Sequence, residues 1–497
     1  MSKEAKRKIS EFNRRIKNPT ESDKQNALIA GSGSAGAAAV SIQASGQQFK
    51  NLDPSKPVIV LHTDRGRGSG HYSQGKAVYD ELRKQGIPAK LMNLDDFVAP
   101  AKKKQFNKIF GKMLDGSLAQ APYALKALNY YTNEVDWKSF RKATEGAQII
   151  NMHAGMDMFI QNHIKTPLFT VHTDQAPFIF PNYNAQNKMG TFTQHIAADS
   201  AVPYLKKERP ILKGRIHGIS GLPISPPNTT PKKRLDPSKY NITVSGGGLG
   251  LGVEEQVETL LKSNLPNNTK IHVVTGYSGT PGKAAYDPGK IAKLNALKDR
   301  AAKRGIAIEV IGFEPNLRDM INQADLNVLR PGGTSIAEAR ASGKPFRLFL
   351  NTGITSRGLS GRNVTAVNNF YKDALGGDVF TRAGDTKSLN ELFSNISGQS
   401  KVFKKLKVGP TGGAPDIVKL VKTMRQAKNT PGGVSAGQRI SKGLLGAASV
   451  LSAAEYLRRR RSKGTKSSGH WRKLPFGKSG KDEMGNSIVG KTWVKRQ

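Results

Sequence analysis

Continuous apolar runs, rather than alternating ones, mark the ordered part of this chain, and each is broken by glycine or polar residues before a helical period begins. Val58, Ile59, Val60 and Leu61 form the first run; HTDRGRGSGH turns the chain, and a helical pattern follows from Tyr72 to Arg83. Gln148–Met152 and Leu168–Val171 read as further strands. The second runs into His172, Thr173 and Asp174, repeating the His-Thr-Asp of residues 62–64. After a Pro- and Lys-rich linker, ITVSGGGLGLGVEEQVETLL starts at Asn241 as a second succession of strand, glycine loop and helix. Val273–Thr275, Ala307–Ile311 and Leu326–Leu329 add strands, with helical patterns at Ile291–Arg304 and Asn316–Ile321 between them. Strands apolar at most positions, without strict alternation, are buried on both faces, so the succession of strands and helices predicts parallel sheets covered by helices. Two such openings predict an α/β chain of two Rossmann-like doubly wound domains, with functional groups at the carboxyl ends of the strands. The expected organisation is a flexible basic extension at 1–56, an N-terminal domain at 57–222, the linker at 223–239, a C-terminal domain at 240–397 and a strongly basic extension from 398 to 497.

The stretch NVLRPGGTSIAEARASGKPFRLFLN, Asn327–Asn351, places a glycine turn, a short helix and a buried strand in immediate succession. Arg330, Pro331, Gly332 and Gly333 break the apolar run, and Thr334 and Ser335 fall where a helix N-cap is expected. A diphosphate can lie against such a helix start, where unpaired N–H groups point outward and glycines admit a close approach. Glu338, one turn in, could accept hydrogen bonds from ribose hydroxyls. An ordinary strand-turn-helix joint has the same pattern. Neither glycine loop is followed by Gly-Lys-Ser/Thr, so neither is a P-loop, and neither is a clean dinucleotide fingerprint. At the first loop, His71 follows Gly70 and would sit at the mouth of the sheet, placed for proton abstraction with a pKa near working pH. An exposed loop histidine is the plainer reading, and the same holds for Asp64.

Between the first strands, Phe106, Ile109, Phe110, Met113 and Leu114 recur at helical spacing, surrounded by Lys102, Lys103, Lys104, Lys108 and Lys112. A basic amphipathic helix of this kind can lie in an anionic membrane interface, although the same stripe would equally suit a core-facing helix. Charge sharpens the question of a partner. The 497 residues carry 78 Lys and Arg against 37 Asp and Glu, a net charge of +41, which calls for an anionic partner such as a membrane surface or nucleic acid. Residues 401–497 hold 23 Lys and Arg against 4 Asp and Glu, so about a fifth of the chain carries nearly half of the surplus. A helical pattern at Ala436–Arg461 ends in RRRR, and the rest of the tail mixes lysines with Trp471, Phe476 and Trp493. Basic residues with interspersed aromatics suit nucleic acid as well as lipid headgroups. The chain has no cysteine, which excludes disulfides, thiolate metal sites and cysteine nucleophiles. The longest weakly apolar run, Ala27–Ile42, is built of Gly, Ala and Ser and does not read as a membrane span.

Taken together, seven landmarks resemble the two-domain (GT-B type) glycosyltransferases of the monogalactosyldiacylglycerol synthase type, and more distantly the peptidoglycan N-acetylglucosaminyl transferase. They are HTDRGRGSGHYSQGKAV, FTVHTDQ, HIAADSAVPYLKK, ISGLPISPP, SGGGLGLGVEEQVETLL, VIGFEPNLRDMINQADL and RPGGTSIAEARASGKPF, in the family's order and at its spacing over about residues 57–397. The resemblance implies two Rossmann-like domains facing a cleft, a UDP-sugar held mainly by the second, and an inverting displacement needing no metal and no cofactor beyond the sugar nucleotide. By match of motif, His71 is the expected base toward the acceptor hydroxyl, and Asp174 orients the acceptor or the base. Gly247, Gly248, Gly250, Gly332, Thr334 and Ser335 are expected to line the diphosphate, Phe313 the uracil and Glu338 the ribose. The family grips its sugar with a Gln-Glu or Gln-Gln pair after FRLFLN. Here the text is TGITSRGLSGRNV, in which Asn363 and Val364 match but Arg357, Gly358 and Ser360 stand around the place of the pair. An arginine cannot accept hydrogen bonds from sugar hydroxyls, so a different, for example acidic, donor sugar or a loss of catalysis is implied. The expected function is hexosyl transfer from a UDP-sugar to a lipid such as diacylglycerol, by a peripheral membrane or cytoplasmic protein. Phe106, Lys108, Ile109, Phe110 and Lys112 would contact the membrane and acceptor. Two alternatives stay open: a glycosyltransferase that modifies nucleic acid, and a non-catalytic protein of this fold on nucleic acid or membrane, such as a virion component.

Overall fold

The computed structural model describes residues 51–63, 70–104, 132–153, 156–175, 193–208, 216–230, 234–247, 250, 252–276, 288–312, 314, 316–350, 359–406, 408–428, 469–473, 479–481, 487–489 and 491–495. Six parallel strands form the first sheet: β1 (Val58–His62), β2 (Ala89–Asn93), β3 (Ile149–Asn151), β4 (Leu168–Val171), β5 (Thr193–Ala198) and β6 (Ile216–Ile219), in the order β2-β1-β3-β4-β5-β6. Its flanking helices include α1 (Gly70–Lys84), α2 (Trp137–Thr144), α3 (Asp157–Ile160) and α4 (Val202–Glu208). The second sheet is built from β7 (Tyr240–Ser245), β8 (Thr269–Val274), β9 (Ala307–Ile311), β10 (Leu326–Leu329), β11 (Phe346–Leu350) and β12 (Phe380–Arg382), ordered β12-β11-β10-β7-β8-β9 and again parallel throughout. With it run α5 (Val253–Leu261), α6 (Pro288–Ala302), α7 (Leu317–Gln323), α8 (Gly333–Ser342), α9 (Leu359–Leu375), α10 (Thr386–Ser394) and α11 (Ile396–Leu406). This is the predicted pair of doubly wound α/β domains.

The continuous apolar strands have the reason expected of them, since each sheet is buried on both faces. Ile59 and Leu61 enter one cluster with Phe140, Ile160 and Leu205, while Val58 and Val60 enter another with Val78 and Leu82 of α1. In the second sheet, Val244, Val257, Ile271 and Leu294 lie on one side and Leu329, Ile336, Leu348, Val367 and Phe403 on the other. At Gly75, α1 crosses β1 so closely that a Cβ would come within 3.2 Å of Met152 Cγ and 3.5 Å of Val60 Cγ1.

The chain returns to the first domain after the second. Helix α12 (Ala414–Lys428) buries Ile417, Val418 and Val421 against the β1 and α1 side of the first sheet, and the Arg425 guanidinium donates to the Lys56 carbonyl at 2.8 Å. The basic extension expected from residue 398 is therefore corrected at its start. Helices α11 and α12 belong to the folded body, because their apolar faces complete both domain cores. Residues 444–497 form a separate unit, in which β13 (Gly469–Lys473) pairs antiparallel with β16 (Lys491–Lys495), bringing Trp471 opposite Trp493, and β14 (Ser479–Lys481) pairs with β15 (Ser487–Val489). The helical pattern at 436–461 and the amphipathic stripe of Phe106, Lys108, Ile109, Phe110 and Lys112 lie outside the described residues.

Candidate functional site

In each sheet the strand order reverses once, between β1 and β3 and between β7 and β10, and a doubly wound sheet opens a crevice at that reversal. The candidate residues gather at these two places. At the first, His71 opens α1, Met152 and His153 follow β3, and Thr173 and Asp174 follow β4. At the second, Ser245 ends β7 and Gly247 follows it, and Arg330, Gly332 and Gly333 lead from β10 into α8.

His71 is half-buried, and its ring is fixed from three sides. Nδ1 lies 2.8 Å from the Met152 carbonyl and 3.1 Å from the Thr173 hydroxyl, and the ring stacks on that of His153 with centroids 4.4 Å apart. A carbonyl only accepts, so Nδ1 carries the proton and the neutral imidazole has its lone pair on Nε2, the atom that can take a proton. The second His-Thr-Asp has a divided role. His172 is fully buried, bonded through Nε2 to His195 Nδ1 at 3.0 Å, and burial pushes its pKa down to about 3. It is a neutral core residue, whereas its neighbours Thr173 and Asp174 face the crevice.

The two crevices meet. Gln74, buried on α1, donates through Nε2 to the Thr173 carbonyl at 2.9 Å and to the Thr334 hydroxyl of α8 at 3.1 Å. A Cβ at Gly70, beside His71, would lie 3.2 Å from the same hydroxyl. A Cβ at Gly333 would overlap the Thr173 carbonyl oxygen and approach Asp174 Oδ1 to 3.1 Å, so the Asp174 carboxylate lies by the first turn of α8, where negative charge is favoured. The N-cap of α8 is Gly332, without a side-chain cap bond, instead of the expected Thr334 or Ser335; the Thr334 hydroxyl is taken up by Gln74.

The glycines of the expected cradle differ in what requires them. Gly247 and Gly250 have φ of +69° and +58°, a region only glycine enters freely. Among the described residues, nothing lies within 4 Å of a Cβ built on Gly247 or Gly332, while a Cβ on Gly250 would overlap the Thr275 carbonyl. Gly250 and Gly333 are thus demanded by protein backbone packed against them, and Gly247 and Gly332 are the positions with room for a ligand.

Glu338 lies one turn into α8, half-buried. Burial pushes its pKa up to about 7, with the Arg318 guanidinium pulling the other way. Arg318 itself donates to the carbonyls of Ser225 and Pro410, holding the linker and the segment before α12 to the second domain. Arg330 was not among the predicted site residues. Its backbone N–H bonds the Ser245 carbonyl at 2.9 Å, tying the two loops of the second crevice together. Burial lowers the pKa of its guanidinium, and the Asp174 carboxylate opposes that shift. An arginine at the end of a buried, mostly apolar strand, before Pro-Gly-Gly, was the signal available for it. Gly248, Phe313 and Arg357 lie outside the described residues; Asn363 is on α9, with its side chain outside them.

Two parallel doubly wound sheets whose switch points oppose one another make a GT-B type fold. No family model matches the chain. One stretch of 115 residues is 30% identical to the UDP-N-acetylglucosamine--N-acetylmuramyl-(pentapeptide) pyrophosphoryl-undecaprenol N-acetylglucosamine transferase of Anaplasma marginale (strain St. Maries), spanning 23% of this chain and 29% of that protein. The chain is also similar to the solved structures of Acinetobacter baumannii MurG (14% identity, 74% of this chain and 99% of that one, TM-score 0.45) and of the glycosyltransferase SnogD from Streptomyces nogalater (12%, 74% and 100%, TM-score 0.45). At these values the likenesses carry no statement of activity, and the fold rests on the two sheets themselves.

Proposed function

We propose that this chain is a glycosyltransferase that moves a hexose or related sugar from a UDP-sugar to a lipid hydroxyl at an anionic membrane surface, with inversion. The observation that carries the reading is the approach of His71 to the start of α8: a base with its lone pair on Nε2 stands across one buried glutamine from a glycine-led helix N-terminus. Such a pair of groups suits a direct displacement. The imidazole takes the acceptor proton as the oxygen attacks the sugar carbon, and helix N–H groups, with Arg330 behind them, balance the charge on the departing diphosphate. Glu338, whose pKa burial raises to about 7, can accept from ribose hydroxyls as the carboxylate and donate to them as the acid.

The sequence motifs that resemble those of the monogalactosyldiacylglycerol synthase type and the short match to a transferase whose name includes an undecaprenol carrier both favour a lipid-linked acceptor. The test is incubation with a panel of UDP-sugars and diacylglycerol in anionic vesicles, read as glycolipid formed. UDP release without a lipid product sinks the acceptor assignment. Absence of any UDP or UDP-sugar binding by calorimetry sinks the transfer reading and favours a non-catalytic protein of this fold, to which the +41 charge also lends itself.

A further inference from the structure

Two turns beyond the glycines, α8 carries a charge where a small residue would be expected. Ala337, Ala339 and Ala341 alternate with Glu338 and Arg340, and Ala337 and Ala341 pack with Ala198 and Leu222 of the first domain in one buried cluster. Arg340 stands on the same helix with its side chain only 1% exposed. Each of its three nitrogens has a partner. Nη2 lies 3.0 and 3.3 Å from the two carboxylate oxygens of Asp199, Nη1 lies 3.5 Å from the Ser200 hydroxyl, Nε donates to the Tyr371 hydroxyl at 3.0 Å, and Cζ sits 4.7 Å above the Phe370 ring. Asp199 and Ser200 follow β5 in the first domain; Phe370 and Tyr371 belong to α9 of the second. A buried cation loses heavily if its partner leaves, so the second domain holds a charge whose counterion the first domain provides.

We propose that Arg340 is a positioning residue: through Asp199 it pins α8 to the first domain and thereby sets the separation between His71 and the glycines at the head of that helix. The geometry makes this specific. Gly333 and Arg340 lie on one helix two turns apart, so a displacement at Arg340 is carried to the glycines at its head. The Ser200 hydroxyl also donates to Gln175, the neighbour of Asp174, so the same contact reaches the strand end that faces α8. Its consequence for turnover rests on the transfer reading, whereas its consequence for domain separation does not.

The experiment uses the full chain, whose lack of cysteine lets two introduced ones carry spin labels, at the exposed Lys84 of the first domain and Lys303 of the second. Pulsed electron–electron resonance is expected to give one narrow distance in the labelled parent, and a broadened or longer one in Arg340→Met and in Asp199→Asn. In the same two variants kcat is expected to fall on the order of 10- to 100-fold, as for a misplacement of about 1 Å, with UDP affinity held. Asp199 is 41% exposed and asparagine keeps its size and one acceptor, so Asp199→Asn is the decisive variant should Arg340→Met fail to fold. An unchanged distance in folded Asp199→Asn overturns the proposal, whatever its turnover. A changed distance in a protein that transfers no sugar supports the pin and refutes only the transfer reading.

Discussion

The Nδ1 atom of His71 lies 2.8 Å from the carbonyl oxygen of Met152, and that single bond decides which ring nitrogen is basic. The start of α1, after β1, supplies the histidine and the residue after β3 supplies the acceptor, so the tautomer is set at the reversal of strand order between β1 and β3. His71→Ala is expected to lower sugar transfer by about 10²- to 10⁴-fold, the usual contribution of a general base. UDP affinity should stay close to the parent value in calorimetry. Near-normal transfer by His71→Ala would remove it from the reaction, and Asp174, by the start of α8, would be the next candidate; His172 would not, being sealed in the core.

How far the chain could be read depends on where each element sits. The central strands Val58–His62, Leu168–Val171 and Leu326–Leu329 are legible because burial on both faces favours apolar residues at most positions, and the edge strand Ala307–Ile311 is legible from its Ala, Ile and Val residues despite Glu309. Strands β2 and β6 were not predicted, and both are edge strands: AKLMN and IHGI keep polar or small residues because one side of each faces no further strand. The site divides in the same way. His71, Asp174 and the glycines stand at strand ends and turns, which composition marks. Gln74, Thr173 and Arg340 owe their roles to residues far away in the chain, and one sequence carries no sign of who those neighbours are.

Glu338 gives a pH prediction with a definite sign. Its folded-state pKa is raised, from the ordinary 4.5 to about 7, so between these values the unfolded chain has lost the proton that the folded chain keeps. Stability therefore falls as pH rises through that window, by up to about 1.4 kcal/mol per unit. Glu338→Gln abolishes this loss. The melting temperature of the variant relative to the parent should rise between pH 5 and pH 8 in the absence of nucleotide, and a constant difference would mean that the carboxyl is not desolvated.

Gly250 and Gly247 separate two costs that glycine substitutions usually mix. Both have positive φ, so alanine at either strains the backbone by on the order of 1–3 kcal/mol. Only at Gly250 does the new Cβ also overlap the Thr275 carbonyl. Gly250→Ala should thus be markedly less stable in urea than Gly247→Ala. Gly247→Ala, whose Cβ enters open space in the crevice, should weaken UDP binding more than it weakens the fold. Equal destabilisation by the two would mean that Thr275 yields without cost.

The unit from Leu444 to Gln497 carries 13 Lys and Arg against 3 Asp and Glu, and a chain ending before Leu444 tests what that charge is for. Among the described residues no helix is long and apolar enough to cross a membrane, so on the lipid reading binding to a bilayer is a surface matter of charge and partial insertion. Attraction of this kind is screened beyond about 8–10 Å at physiological ionic strength. The full chain should therefore bind vesicles containing anionic lipid with an affinity that falls steeply with salt, and the shortened chain should bind them more weakly and with a shallower salt dependence. UDP affinity should be unaffected, because every candidate donor-binding residue, from Gly247 to Asn363, lies before Leu444. Duplex DNA in place of vesicles discriminates the alternative: for every phosphate that the tail neutralises in the full chain, its removal should make the slope of log K against log salt shallower by about 0.9. A slope that changes for DNA while vesicle binding does not would assign the tail to nucleic acid, and with it the anionic surface on which the enzyme would work.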